Sequence, residues 1–257
     1  MCNKMTQYAI LRSVAYKHKK NIKSDFEWLF KDPEIYNYRA TLGSLRPYTI
    51  INNDNLKEIL SGKHEEDACF TTTGCENSYF QTEAGASCIR ENLPNITKDS
   101  QPPIDGIFVH YRLGDISSDS GPDSFSVLQG GAQLLIKSTE KTRAVKVAYM
   151  EKAVENIPGY NSLERYISSD SPQDPRVQHI ISKYGFKLWS GGPEETILFG
   201  SRFTNKVLSK GTFSWWIGVL GSQNNVSYPD KSECVAWHGS IFVFDDWNPT
   251  SSRSRFS

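Results

Sequence analysis

Three short polar stretches of this chain combine residues able to hold a phosphate with residues able to orient it. They are His110-Tyr111-Arg112-Leu113-Gly114-Asp115, Ser168-Ser169-Asp170, and Ser209-Lys210-Gly211-Thr212-Phe213-Ser214-Trp215-Trp216. Arg112 offers a planar guanidinium whose N–H groups match phosphate oxygens two at a time. Asp115 is placed either to orient Arg112, to accept from a sugar hydroxyl, or to draw a proton from an attacking hydroxyl. Gly114 lets the backbone pass close to a ligand or adopt a positive φ. In the third stretch a small-residue turn opens a helix. The free N–H groups of a first helical turn, its dipole, and the Thr212 and Ser214 hydroxyls together suit an anion. A diphosphate held between Arg112 and this helix start has its charge countered by protein donors alone, as a departing nucleoside diphosphate requires.

Each group also has a plain structural reading. Ser or Thr ahead of a helix is an ordinary N-cap, and Asp170 can cap the turn before Pro172. Trp215 and Trp216 read as core packing ahead of a stacking platform. His18, His64, His179 and His238 have no metal-ligand spacing.

The elements that must position these groups alternate. Gly106 to Tyr111 reads as a buried strand and Ala144 to Ile157 as a helix stopped by Pro158-Gly159. Arg165 to Asp170 reads as a strand tip, Arg176 to Tyr184 as a helix ended by Gly185, and Phe186 to Trp189 as a short strand. Thr196 to Phe203 then reads as helix, Lys206 to Ser209 as strand and Phe213 to Leu220 as helix. Such alternation signifies a parallel sheet with helices on both faces, and in such a sheet ligands bind beyond the carboxyl ends of the strands. The three polar stretches then share one edge. Upstream, Thr6 to about His18 has helical period and Tyr48 to Ile51 is strand-like, while 61–103 reads mostly as loop and 117–130 as a mobile loop. Lys98-Asp99-Ser100-Gln101-Pro102-Pro103 marks a lobe boundary, giving lobes 1–102 and 103–257.

Length and charge bound the rest. A chain of 257 residues suits one large domain or two compact lobes. Lys plus Arg equals Asp plus Glu at 29 each, which argues against a nucleic-acid surface. Five cysteines without C-x-x-C spacing read as free thiols, with one loop disulfide among Cys69, Cys75 and Cys88 as the alternative. The opening residues lack the apolar segment of a signal peptide, and no run reaches the length of a membrane span. The expectation is a cytoplasmic protein, or a luminal catalytic portion without its anchor.

At these residues the chain resembles the α-1,2-fucosyltransferase family, relatives of the α-1,6- and protein O-fucosyltransferases. Cys2 to Ala9 is similar to the family's N-terminal G-G-x-G-N-Q-[ML]-[FT]-Q-Y-A, and His110 to Asp115 to its H-x-R-R-G-D. Ala148 to Val154 resembles Y-Y-x-x-A-[IV], Ile167 to Asp170 resembles F-S-D-D, and Gly211 to Trp216 resembles S-S-F-S-W-W. The resemblance implies a GT-B-like α/β fold, with a Rossmann-like donor lobe and a smaller, truncated N-terminal lobe. It also implies inverting transfer of L-fucose from GDP-fucose to a galactose-type hydroxyl, with no metal and no cofactor beyond that donor. Partners are then the nucleotide sugar and a glycan acceptor. By position Arg112 and Asp115 serve catalysis, and His110, Arg112, Asp170, Thr212, Phe213 and Ser214 bind the donor. Asn3 and Gln7 line the cleft from the first lobe. The chain departs from the motifs at Leu113, where the family has a second Arg, and at Ser169, where it has an Asp. Where the family has a helical acid, taken to read guanine, this chain has Thr196; either the neighbouring Glu195 takes that role or the base preference differs. Another nucleotide-sugar transferase, or a non-catalytic glycan- or nucleotide-binding relative, is the alternative.

Overall fold

The computed structural model describes residues 2–19, 48–62, 69–71, 80, 82–96, 102–114, 124–129, 132–137, 144–221, 225–230, 233, 241–242 and 244–252. The chain divides into two compact units, Met1–Asp99 with His238–Val243, and Ser100–Trp237 with Phe244–Ser257.

In the first unit, helix α1 (Cys2–His18) packs on α3 (Glu83–Ile96), with the short α2 (Leu56–Leu60) against both. Met5, Ala9, Ile10 and Val14 supply the buried face of α1. Strands β1 (Tyr48–Ile50) and β2 (Cys69–Thr71) form a parallel pair. Helix α3 corrects the reading of 61–103 as mostly loop. Ala86, Ile89 and Leu93 are buried at helical spacing, and the Thr82 hydroxyl accepts from Gly85 N at 3.2 Å to cap the first turn. Cys88 on this helix is a free, buried thiol; burial pushes it up to about 11, against a hydrogen bond with Ser13.

The second unit is built on a six-stranded sheet. Its strands are β3 (Ile104–His110), β6 (Glu164–Ser168), β7 (Lys187–Leu188), β8 (Phe203–Val207), β9 (Asn225–Pro229) and β10 (Asn248–Thr250). Every pairing in it is parallel, in the order β10-β9-β8-β3-β6-β7. Counted along the chain from β3, that is 3-2-1-4-5-6, the order of a doubly wound nucleotide-binding sheet. Helices α4 (Val147–Glu155), α5 (Pro175–Tyr184), α6 (Pro193–Ser201) and α7 (Thr212–Leu220) cover it. A single-turn 3-10 helix, Tyr160–Ser162, precedes β6.

Central strand β3 is covered on both faces. Ile107 and Val109 join Met150, Ala153 and Val154 of α4 and Val177 and Ile180 of α5 in one core. Phe108 points the other way, against Phe199 of α6 and Phe203. A β-carbon on Gly200 would lie 2.5 Å from Phe108 Cε1, so a glycine here sets how closely α6 approaches the sheet. Helix α5 is bounded as its sequence dictates. Asp174 caps it through Arg176 N at 2.9 Å, Pro175 opens it, and Gly185 ends it at φ 67°. At the sheet's other end an amide ladder fixes register. Asn205 Nδ2 donates to Gly106 O, Asn225 Nδ2 to Asn205 Oδ1 and Asn248 Nδ2 to Asn225 Oδ1, at 3.0, 2.9 and 3.0 Å.

Other boundaries shift. Pro193 behind Gly192 starts α6 three residues before the expected Thr196, and Phe203, a core residue, belongs to β8. Of the expected mobile loop 117–130, residues 124–129 are a strand instead. This β4 (Ser124–Gln129) pairs antiparallel with β5 (Ala132–Lys137), and residues 117–123 and 130 lie outside the described ones. No helix among the described residues is long and apolar enough to cross a membrane.

Candidate active site

The strand order reverses between β3 and β8, so the chain leaving β3 and the chain leaving β8 run to opposite sides of the sheet. In open sheets of this kind, such a reversal is where a ligand crevice forms at the carboxyl edge. Two of the three polar stretches flank it, and the third follows the adjacent β6.

His110 ends β3 and is buried. Its Nδ1 shares a 2.6 Å hydrogen bond with Ser214 Oγ in the first turn of α7, and its ring stacks on Phe213 at 4.8 Å. Burial holds the ring down to about 4 from an ordinary 6.5; the Arg112 charge acts the same way and Asp170 opposes it. His110 is therefore neutral at pH 7. The only other hydrogen bond of Ser214 Oγ among those described is a long one to Lys210 O, at 3.4 Å. Both bonds form together when His110 Nδ1–H donates to Oγ and the hydroxyl donates to Lys210 O. Ser214 is wholly buried, so the pair is a fixed link and not an exposed nucleophile.

The turn into α7 is a glycine turn by necessity. Gly211 caps the helix at φ 107° and ψ 157°, a conformation that β-carbons exclude. Thr212, half-buried, begins the helix, and Lys210 is buried beside it. Ser209, fully buried, keeps a hydroxyl that makes no hydrogen bond among the described residues. Upstream, the Tyr149 hydroxyl donates to Leu208 O at 2.7 Å and fixes the end of β8.

On the β3 side, Tyr111 N donates to Ser168 O at 2.8 Å and the Tyr111 hydroxyl to Val145 O at 3.0 Å, locking the strand end. Arg112 follows, half-buried. Leu113 turns inward and joins the apolar core, which explains a hydrophobic residue where the resembling motif has its second Arg. Asp170 Oδ1 accepts from Leu113 N at 2.8 Å and from Gly114 N at 3.1 Å. Gly114 does not use a left-handed φ. Its missing β-carbon makes room for the carboxylate instead, since one would lie 2.7 Å from Asp170 Oδ2.

The structure thus gathers His110, Arg112, Asp170, Thr212, Phe213 and Ser214 at one edge. Glu195 is engaged elsewhere: its Oε2 accepts from Gly192 N at 2.8 Å and caps α6. Thr196 is buried, hydrogen-bonded to Gly191 O and to Trp189 Nε1, both at 3.1 Å. Asp115 lies outside the described residues. Asn3 and Gln7 belong to the first unit, one helical turn apart on α1. Trp215 and Trp216 are core residues, packed edge to face at 5.2 Å. Among the described residues no group of three His, Cys, Asp or Glu side chains is placed to hold a metal. Compared with models of protein families, with curated proteins and with solved structures, the chain matches none.

Proposed function

We propose that this chain is a glycosyltransferase that draws its sugar from a nucleoside-diphosphate donor. The observation that carries the reading is the His110–Ser214 bond across the point where the sheet order reverses. It ties the Arg112-bearing strand end to a helix N-terminus that begins at a glycine turn, so two kinds of anion donor flank one crevice. Within this class the resemblance of His110 to Asp115 and of Gly211 to Trp216 to the fucosyltransferase motifs favours GDP-fucose as donor. The acceptor is then a galactose-type hydroxyl, attacked with inversion.

In this mechanism the bond from the sugar's anomeric carbon to the β-phosphate oxygen breaks as the acceptor oxygen attacks from the opposite face. Negative charge grows on the diphosphate. Arg112 and the first N–H groups of α7 receive it from fixed positions, so little reorganisation is needed during the step. Asp115 is the carboxylate nearest in sequence for taking the acceptor proton.

The test is GDP release from GDP-fucose, with and without galactose-terminated acceptors, for the wild type and Arg112→Ala, each repeated with chelator. Acceptor-stimulated release that survives chelation and falls at least about a hundredfold in the variant is expected for the loss of a charged donor. An Arg112→Ala protein of full activity would remove that residue from the mechanism. A non-catalytic nucleotide-binding role is the second reading, motivated by Leu113 in the core and by the engagement of Asp170 Oδ1 with backbone. GDP binding without release from any nucleotide sugar favours it.

A further inference from the structure

We infer that Asp170 is a positioning residue that sets the Arg112 turn for anion binding and does not itself contact the donor; this rests on the nucleotide-sugar reading above. The turn 112–114 leaves β3 just after Tyr111, whose N donates to Ser168 O on the neighbouring strand. Beyond that bond, Asp170 Oδ1 holds it from the end of β6 by accepting from both Leu113 N and Gly114 N. Leu113 pins the same turn from below by entering the core. One residue is thus fixed at its backbone by a carboxylate and at its side chain by packing, and Arg112 is the residue immediately before it.

Three observations favour positioning over contact. One carboxylate oxygen, Oδ1, is doubly occupied by backbone donors, so the turn sets the direction of the carboxylate. A carboxylate in direct contact with a diphosphate would repel it, whereas the two N–H groups at 2.8 and 3.1 Å favour the ionised carboxylate. Gly114 is matched to the carboxylate: its φ is ordinary, so glycine serves here only to admit Asp170, whose Oδ2 would sit 2.7 Å from any β-carbon.

The experiment measures GDP affinity by calorimetry for the wild type, Asp170→Ala, Asp170→Asn and Gly114→Ala, together with hydrogen exchange at the Leu113 and Gly114 amides without ligand. Asp170→Ala should weaken GDP binding about tenfold or more, the scale for hydrogen bonds to a charged group, and release both amides to faster exchange. Gly114→Ala, which leaves Asp170 in place but blocks its approach, should do the same. Asp170→Asn keeps an acceptor oxygen and should restore most of the affinity and protection. Tighter binding in both Asp170 variants would mean that the charge acts on the ligand directly, and the role is overturned. Unchanged affinity in Asp170→Ala, or unprotected amides in the wild type, overturns it as well. Wild type that binds no GDP defeats the donor reading and this role with it.

Discussion

His110 and Ser214 are 104 residues apart in the chain and 2.6 Å apart in space, and the bond between them spans the one place where the sheet reverses its winding. Neither partner is free to turn to solvent. His110 is stacked on Phe213, and Ser214 is wholly buried. The bond therefore fixes the orientation of the imidazole as well as the seat of α7 on the end of β3.

Ser214→Ala removes the partner of a buried ring nitrogen without adding volume. An unsatisfied buried polar group costs about 1–3 kcal/mol, so urea unfolding should show a loss of that size. Ser214→Thr restores a hydroxyl and gives a different control, since its extra methyl must fit a packed site. A loss in Ser214→Ala below a few tenths of a kcal/mol would show that water replaces the hydroxyl.

Gly211→Ala tests the turn into α7. At φ 107° and ψ 157° an alanine is strained whatever space surrounds it, at a cost of about 1–3 kcal/mol. Stability should fall by that amount in denaturant unfolding, and GDP affinity should fall with it as the first turn of α7 shifts. Gly114→Ala is the informative contrast, because its backbone is unstrained and its effect falls on the Asp170 clasp alone.

The sheet was legible because a parallel strand covered on both faces reads as an unbroken apolar run, and Gly106 to Tyr111 is one. Helix α5 was legible from its Asp174-Pro175 start and Gly185 stop. Strands β9 and β10 were not, because Asn225–Pro229 and Asn248–Thr250 are short, carry Pro, and rely on an asparagine ladder that no periodicity announces. The β4–β5 hairpin did leave a signal, two glycines between apolar-rich runs, hidden by the Ser- and Asp-rich residues before it. At the site, residue types pointed to Arg112, His110 and Ser214. Which carboxylate serves which group depends on tertiary geometry. Asp170 meets a turn 56 residues away, and Glu195 meets its own helix.

The low pKa of His110 makes a signed prediction. The unfolded chain takes up a proton near 6.5 and the folded ring only near 4, so its contribution is complete above pH 6.5 and is lost as pH falls toward 4. The full span corresponds to about 3 kcal/mol. Glu151 and Asp174 add acid lability of the same sign, but from lower pH. Burial opposes their ionisation, and the bonds from Lys183 and His179, and from Arg176, outweigh it. Unfolding midpoints between pH 6.5 and 5 should therefore slope downward in the wild type and much less in His110→Asn. Nitrogen-15 shifts of the His110 ring should show a neutral imidazole throughout that range. A ring that titrates near 6.5 would contradict the burial that the structure gives it.

Lys206 extends the pH argument to the other side of neutrality. It lies at the centre of the sheet, on β8, in register with Phe108 on one side and Val226 on the other, and its side chain is wholly buried. Burial pushes its ammonium down to about 7 from an ordinary 10.5. The unfolded chain holds that proton up to 10.5, so stability should continue to rise from pH 7 toward 10.5, in the same direction as the His110 limb but in a separate window. Lys206→Met keeps the apolar stem and abolishes the charge. The variant should lack the rise, so its midpoint should stay level while that of the wild type climbs. Urea midpoints at pH 7 and 9.5 read the difference. Parallel profiles for the two proteins would mean that Lys206 stays protonated across the range, its charge held by partners strong enough to offset the burial.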